Sequence, residues 1–382
     1  MAGTLPERAI RVLGDPWHHL PPSYRTPAIL TSCAALVIIT PFAWRKLTYK
    51  PELPPRTPKD YQYRLHTIAQ EGSASFTLPD DRKIGYAQYG NPNGKPIISL
   101  HGILGSRLES ALLDADAKAL GARIIAIERP GIGLSSPDPR PLKERRVLDH
   151  AHDVEALAEY LQLDDYAVLG TSGGGPYALA CAHSLPSSAS KPSLRAVAIV
   201  TGQGLPDMSQ AWPAPVVFLN KHLDLRWAMR WIFARSPAWQ PHLSDEEKME
   251  ALRQSFDLKK AHPADAGTAR REDYPDMVRL FLCSAREAVA QGWDGFLDET
   301  QVLSKEPGFR VEDTRADLPV QIWCGTDDTN VSPKVGEEIV QRLRAGGNSK
   351  AELHMMAGET HGSTQVKYRR EVLKDLLRAM ES

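Results

Sequence analysis

Charge of one sign is missing from this chain: 46 lysines and arginines face 47 aspartates and glutamates, a net charge of −1. A chain so balanced carries no general electrostatic footprint for nucleic acid, and no nucleic-acid partner is expected. Cysteine is scarce, with Cys33, Cys181, Cys283 and Cys324 far apart and in no CxxC spacing. That argues against a zinc site, and a disulfide framework is not expected at 382 residues. The cysteines read as small buried hydrophobes. Long apolar runs are almost absent, and a mean hydropathy of −0.35 excludes a protein that crosses a membrane many times. There is no cluster of metal-ligating residues and no glycine-rich phosphate loop, so no cofactor is expected. Gly131-Ile132-Gly133 is too short for a dinucleotide fingerprint and reads as the turn after a strand.

Hydrophobic residues at 42% and charged residues at 24% are ordinary globular values, which sets disorder aside as the main state. Proline is above average at 30 residues, pointing to many loops and caps. The exception to the missing apolar runs is residues 28–44, AILTSCAALVIITPFAW, which hold no charge. After a polar leader over 1–27, this run predicts a single membrane-spanning anchor near the lower length limit. Phe42 and Trp44 suit the interface, whereas Pro41 would kink or end the helix. The flank after it carries Arg45, Lys46, Lys50, Arg56 and Lys59, against Arg8, Arg11 and Arg25 before it. By the positive-inside tendency the rest of the chain is expected on the cytosolic side. Residues 45–72, proline-rich at the start, read as an extended spacer.

From there apolar runs and amphipathic stretches alternate. Pro96–Leu100, Arg123–Glu128, Tyr166–Leu169, Leu194–Val200, Val320–Cys324 and Glu352–Met355 read as strands buried on both faces of a parallel sheet. Ser75–Leu78 and Ile84–Tyr89 flank a Pro-Asp-Asp-Arg-Lys turn and predict a hairpin at one edge. Val147–Leu163, Val335–Leu343 and Val366–Met380 repeat their apolar residues with helical period. Alternating units of this kind predict a doubly wound, mostly parallel α/β sheet. The core is expected over 73–202 and 318–382. Residues 203–317 break the alternation, read as helical, and hold Trp212, Trp227, Trp231, Trp239 and Trp293. They predict a cap over a binding site, or a second subdomain whose tryptophans are core.

The segment richest in chemistry is Tyr166–Leu185. A buried strand runs into Gly170-Thr171-Ser172-Gly173-Gly174 and then a helix, the setting of a G-x-S-x-G nucleophile elbow. A serine there must occupy a strained turn, and side chains at Gly170 or Gly174 would strike the neighbouring strand and helix. A hydroxyl needs an adjacent base, and the order after an elbow is serine, acid, histidine. Strand Val320–Cys324 ends near Asp327 and Asp328, either of which could serve. Strand Glu352–Met355 is followed by a loop holding His361; His354, inside the strand, is the weaker rival. An oxyanion hole needs two N–H donors. Gly173 can supply one, and Ile103, in the loop His101-Gly102-Ile103-Leu104-Gly105, the other, with His101 shaping that loop.

Taken in order, HGILGSRLE (His101–Glu109), ERPGIGLS (Glu128–Ser135), VLGTSGGGPYALACA (Val168–Ala182), GTDDTNVSP (Gly325–Pro333) and GETHG (Gly358–Gly362) resemble the α/β-hydrolase superfamily in its capped branch. The resemblance runs from about Ser75 to the C-terminus. It implies Ser172 as nucleophile, His361 as base and, through the G-x-x-D-x-x-V pattern, Asp328 rather than Asp327 as orienting acid. It departs at Glu128, where many relatives have Asp, a difference expected to be structural, and at Ile103-Leu104, which reshapes the mouth of the site. Epoxide hydrolases and haloalkane dehalogenases need an aspartate at the elbow, so Ser172 sets them aside. The expected activity is hydrolysis of an ester of a small hydrophobic or lipid substrate. C–C cleavage, lyase or cyclase chemistry on the same triad, and a receptor without turnover, are the competing readings.

Overall fold

The apolar runs become strands in the computed structural model, which describes residues 64–185, 192–208, 226–233, 235, 239–240, 242–255 and 260–381. In chain order they are β1 (Ser73–Thr77), β2 (Lys83–Gly90), β3 (Lys95–Leu100), β4 (Ala122–Ile127), β5 (Asp165–Thr171), β6 (Ser193–Val200), β7 (Val320–Gly325) and β8 (Ala351–Met356). They form one sheet in the order β1-β2-β4-β3-β5-β6-β7-β8. The hairpin β1–β2 pairs antiparallel at the edge, and β2 is antiparallel to β4; every later pairing is parallel.

Alternate residues of the central strands feed two separate cores. Ile98, Leu100, Ile125, Ile127 and Val168 enter one. Ile97, Ile124, Ala126, Ala167 and Leu169 enter the other. A sheet covered on both faces has no polar side, which is why its strands read as unbroken apolar runs. Helices supply the covers. The predicted stripe of 147–163 is realised in the helix Asp149–Tyr160, whose Ala151, Val154, Leu157 and Ala158 are fully buried. From β3 the chain passes to β4 on one side, and β5 lies on the other. Such a reversal opens a crevice beyond the carboxyl ends of the strands.

Residues 203–317 lie between β6 and β7, and their described parts are mostly helical: Arg226–Phe233, Asp245–Ser255, Pro263–Ala269, Tyr274–Ala288 and Asp294–Val302. Their tryptophans divide. Trp239 meets Trp293 edge-on at 5.0 Å, and Trp293 packs beside Ile132, Ala288, Phe296 and Leu297. Trp227 and Trp231, by contrast, are 72% and 57% exposed. Spaced by one helical turn, they share an exposed face of their helix. Trp212 lies outside the described residues.

Two further expectations need correction. The end of the proposed spacer is helical over Arg64–Glu71, because Ala69 packs into the second core and its carbonyl accepts from Tyr89 Oη at 3.3 Å. The run 366–380 is broken into helices His361–Lys367 and Arg369–Ala379, with Tyr368 at φ −102° and ψ 7° between them. The leader, the anchor expected at 28–44 and most of the spacer lie outside the described residues. Among the described residues no helix is long and apolar enough to cross a membrane. Cys181 and Cys324 are buried as expected and Cys283 is half-buried; none of the three is in a disulfide, and Cys33 lies outside the described residues.

Candidate active site

The turn after β5 has the strain its sequence implies. Ser172 has φ +50°, a region L-residues avoid. Close packing explains the flanking glycines. A Cβ on Gly170 would come within 2.7 Å of Ala178 Cβ, and one on Gly174 within 2.3 Å of the Leu100 carbonyl oxygen. The chain then enters a 3-10 turn, Ser172–Gly174, and the buried helix Gly175–Ser184.

His361 and Asp328 arrive from the ends of β8 and β7. His361 is the first residue of its helix rather than part of a loop. Thr360 caps that helix, accepting from the Ser363 amide at 3.2 Å while Ser363 Oγ accepts from the Thr360 amide at 2.8 Å. The imidazole bridges the other two groups: Ser172 Oγ lies 3.0 Å from Nε2, and Nδ1 lies 2.7 Å from Asp328 Oδ2. Asp328 is buried, and its Oδ1 accepts from the Asn330 and Val331 amides at 2.8 and 2.9 Å. A carboxylate so bound receives Nδ1–H, leaving the Nε2 lone pair for the serine hydroxyl. The rivals are engaged elsewhere. Asp327 pairs with His262 Nε2 at 3.0 Å, and His354 stacks on Trp323 with ring centroids 4.0 Å apart.

The loop after β3 comes up against the elbow. A Cβ on Gly173 would lie 2.9 Å from Ile103 N, so the loop that carries Ile103 lies directly against the elbow. His101 is buried, with Nδ1 2.9 Å from the Gly102 carbonyl, and shapes the loop. Glu128 is structural, as expected: it pairs with Arg107 at 2.7 Å and accepts from the Leu134 amide at 2.8 Å.

One residue beside the serine, the last of the HGILGSRLE run, has no role that the sequence pattern assigns. Glu109 Oε2 accepts from the Gly102 amide at 3.3 Å, and the carboxyl lies 3.7 Å from where a Cβ on Gly102 would be; that point is 3.5 Å from Ser172 Cβ. Burial pushes the carboxyl up to about 7, against the pull of the Gly102 amide, Arg129 and His361. Glu109 also borders a cleft walled by Leu113, Leu169, Thr171, Val200 and Phe281. Among the described residues no group of histidine, cysteine and carboxylate side chains is arranged to hold a metal ion.

Residues 95–361 match the family model for the alpha/beta hydrolase fold. Proline iminopeptidase from Xylella fastidiosa is 32% identical over 123 residues, covering 31% of this chain and 38% of that protein. The match therefore spans well under half of that relative's length. A bromoperoxidase from Bacillus anthracis superposes with a TM-score of 0.56 at 18% identity, over 81% of this chain and 100% of that one. An esterase from Exiguobacterium antarcticum does so with a TM-score of 0.56 at 15% identity, over 81% and 99%. At these identities the two structures speak for the fold.

Proposed function

The chain belongs to the alpha/beta hydrolase fold family; from that premise we propose that it is a hydrolase, that Ser172, His361 and Asp328 are its catalytic triad, and that it cleaves a carboxylic ester of a small hydrophobic or lipid substrate. One observation carries the reading: the continuous path from Asp328 Oδ2 through the imidazole to Ser172 Oγ, with contacts of 2.7 and 3.0 Å. Ser172 Oγ attacks the carbonyl carbon while Nε2 takes its proton. Asp328 holds the tautomer and stabilises the imidazolium. The Ile103 and Gly173 amides receive the oxyanion. The imidazolium returns its proton to the leaving alkoxide, and the alcohol departs. Water, deprotonated by His361, then releases the acid from the acyl-enzyme.

A second reading is favoured by the identity shared with proline iminopeptidases: the same sequence of steps on an amide at a peptide N-terminus, with an amine leaving. One experiment addresses both. The purified chain is treated with a fluorophosphonate probe and offered p-nitrophenyl esters of rising chain length beside a chromogenic proline amide. Labelling and ester turnover are expected in the wild type, and Ser172→Ala should abolish labelling and lower turnover by about 10⁴-fold or more. Equal labelling of Ser172→Ala refutes the nucleophile. Turnover of the amide alone replaces the ester reading with the peptidase one. We further propose that residues 28–44 anchor the protein in a membrane, with the hydrolase unit on the cytosolic side, where a lipid ester would be within reach.

A further inference from the structure

The loop that carries Ile103 is gripped from behind. Across a planar trans peptide the C=O of one residue and the N–H of the next point in opposite directions. Whatever holds the Gly102 carbonyl therefore aims the Ile103 N–H. Gly102 O accepts from Arg129 Nη2 at 2.9 Å, and His101 O from Arg129 Nη1 at 2.7 Å. Nη2 also lies 2.8 Å from His101 Nδ1. Burial and the neighbouring guanidinium hold His101 well below the usual imidazole range, so the ring is neutral, and its Nδ1 sits between the guanidinium and the Gly102 carbonyl. With both carbonyls turned towards Arg129, the next amides turn the other way: Gly102 N–H towards Glu109, and Ile103 N towards the elbow.

Arg129 is 2% exposed and lies just beyond β4. A cation so buried needs a counter-charge, since an uncompensated one costs several kcal/mol. The carboxylate that supplies it is Glu299, whose Oε1 is 2.7 Å from Nη2. Glu299 belongs to the inserted helix Asp294–Val302, and the ring of Tyr177 lies beneath the guanidinium at 4.9 Å. The guanidinium thus faces Glu299 on one side and the two loop carbonyls with His101 on the other.

We propose that Arg129, balanced by Glu299 of the inserted segment, is the positioning residue that presents the Ile103 amide to the oxyanion. The hole is then completed by the insertion and not by the sheet alone. Neither side chain reaches the reacting atoms; both act through the peptide between Gly102 and Ile103. The inference rests on the serine-hydrolase reading above.

The test compares wild type, Arg129→Lys and Glu299→Gln as full-length proteins, with reactive sites counted by fluorophosphonate titration. Lysine keeps the charge but cannot hold both carbonyls, and glutamine keeps the shape of Glu299 without its charge. Three quantities are read: p-nitrophenyl ester turnover, the rate of fluorophosphonate labelling, and the Ki of a trifluoromethyl ketone, whose adduct with Ser172 places an oxyanion in the hole. Losing one oxyanion donor costs about 10²–10³ in rate. Turnover per site should fall about 10²-fold in Arg129→Lys and roughly 10-fold in Glu299→Gln, with KM unchanged. The ketone Ki should rise and the labelling rate fall in the same proportion. A merely structural pair would lower the number of titrated sites and leave these constants alone. Wild-type constants in Glu299→Gln overturn the proposal even if Arg129→Lys fails to fold. Turnover that falls while the Ki stays put overturns it as well. If Ser172→Ala is inactive but Glu299→Gln is not, the triad stands and the positioning role falls; a wild type that no probe labels takes both down.

Discussion

Asp328 shows how much one oxygen decides. Its Oδ1 is occupied by two backbone amides, so only Oδ2 is left for the imidazole. In Asp328→Asn the amide oxygen would keep the backbone donors and the NH₂ group would face Nδ1. The imidazole would then carry its proton on Nε2 and could not accept from Ser172. Ester turnover is expected to drop about 10³–10⁴-fold with little change in melting temperature. Glu109 predicts a pH effect. Its carboxyl titrates near 7 in the folded chain against 4.5 as its ordinary value. The folded state thus holds this proton more tightly than the unfolded state does. Its contribution favours folding at low pH, shrinks as pH rises from about 4.5 to about 7, and is level above. At about 1.36 kcal/mol per pH unit the loss is at most roughly 3 kcal/mol. Denaturant midpoints at pH 5 and 8 should converge in Glu109→Gln relative to wild type; an unchanged slope would refute the shift. The serine and histidine were legible because strand-turn-helix and strand-end settings announce them. Choosing between Asp327 and Asp328 needed the family pattern. Glu109, Arg129 and Glu299 were invisible as site residues, because only the folded chain brings residues 109, 129 and 299 to the back of one loop.

At the scale of elements, the helix His361–Lys367 matters more than its length implies. Its cap, Thr360, sets where His361 begins, and the Thr360 hydroxyl also meets Asp265 of the inserted helix Pro263–Ala269. Removing a capping hydroxyl costs about 1 kcal/mol. Thr360→Ala should lower stability by about that amount in denaturant unfolding, and turnover should fall further than stability alone explains, since the imidazole loses its fixed origin. Full activity in Thr360→Ala would show that the helix start is held by other contacts. Strands were read with ends displaced by a residue or two. The break at Tyr368 escaped notice, since the apolar spacing of 366–380 continues through it. The helix Arg64–Glu71 was missed because its apolar contacts are with distant residues such as Tyr89.

For the whole molecule, the parallel sheet could be read from apolar runs, because burial of its central strands on both faces leaves no polar alternation to confuse them, and the edge hairpin from the turn between its two strands. The insertion was legible as helical, but which tryptophans face outwards was not: Trp227 and Trp231 follow the same helical spacing that a buried stripe would. The proposed anchor predicts that the full-length protein stays with membranes through alkaline carbonate extraction, while deletion of residues 28–44 releases it. Release of the full-length protein would refute the anchor.

The adjacent aspartates have divided loyalties: Asp328 serves the imidazole, whereas Asp327 reaches across to His262 at the start of an inserted helix. Thr360, next to the histidine, is tied to the same helix through Asp265. The insertion is thus stitched to the loops on both sides of the base. A change in where that inserted helix sits would therefore bear on the loops of the acid and the histidine together.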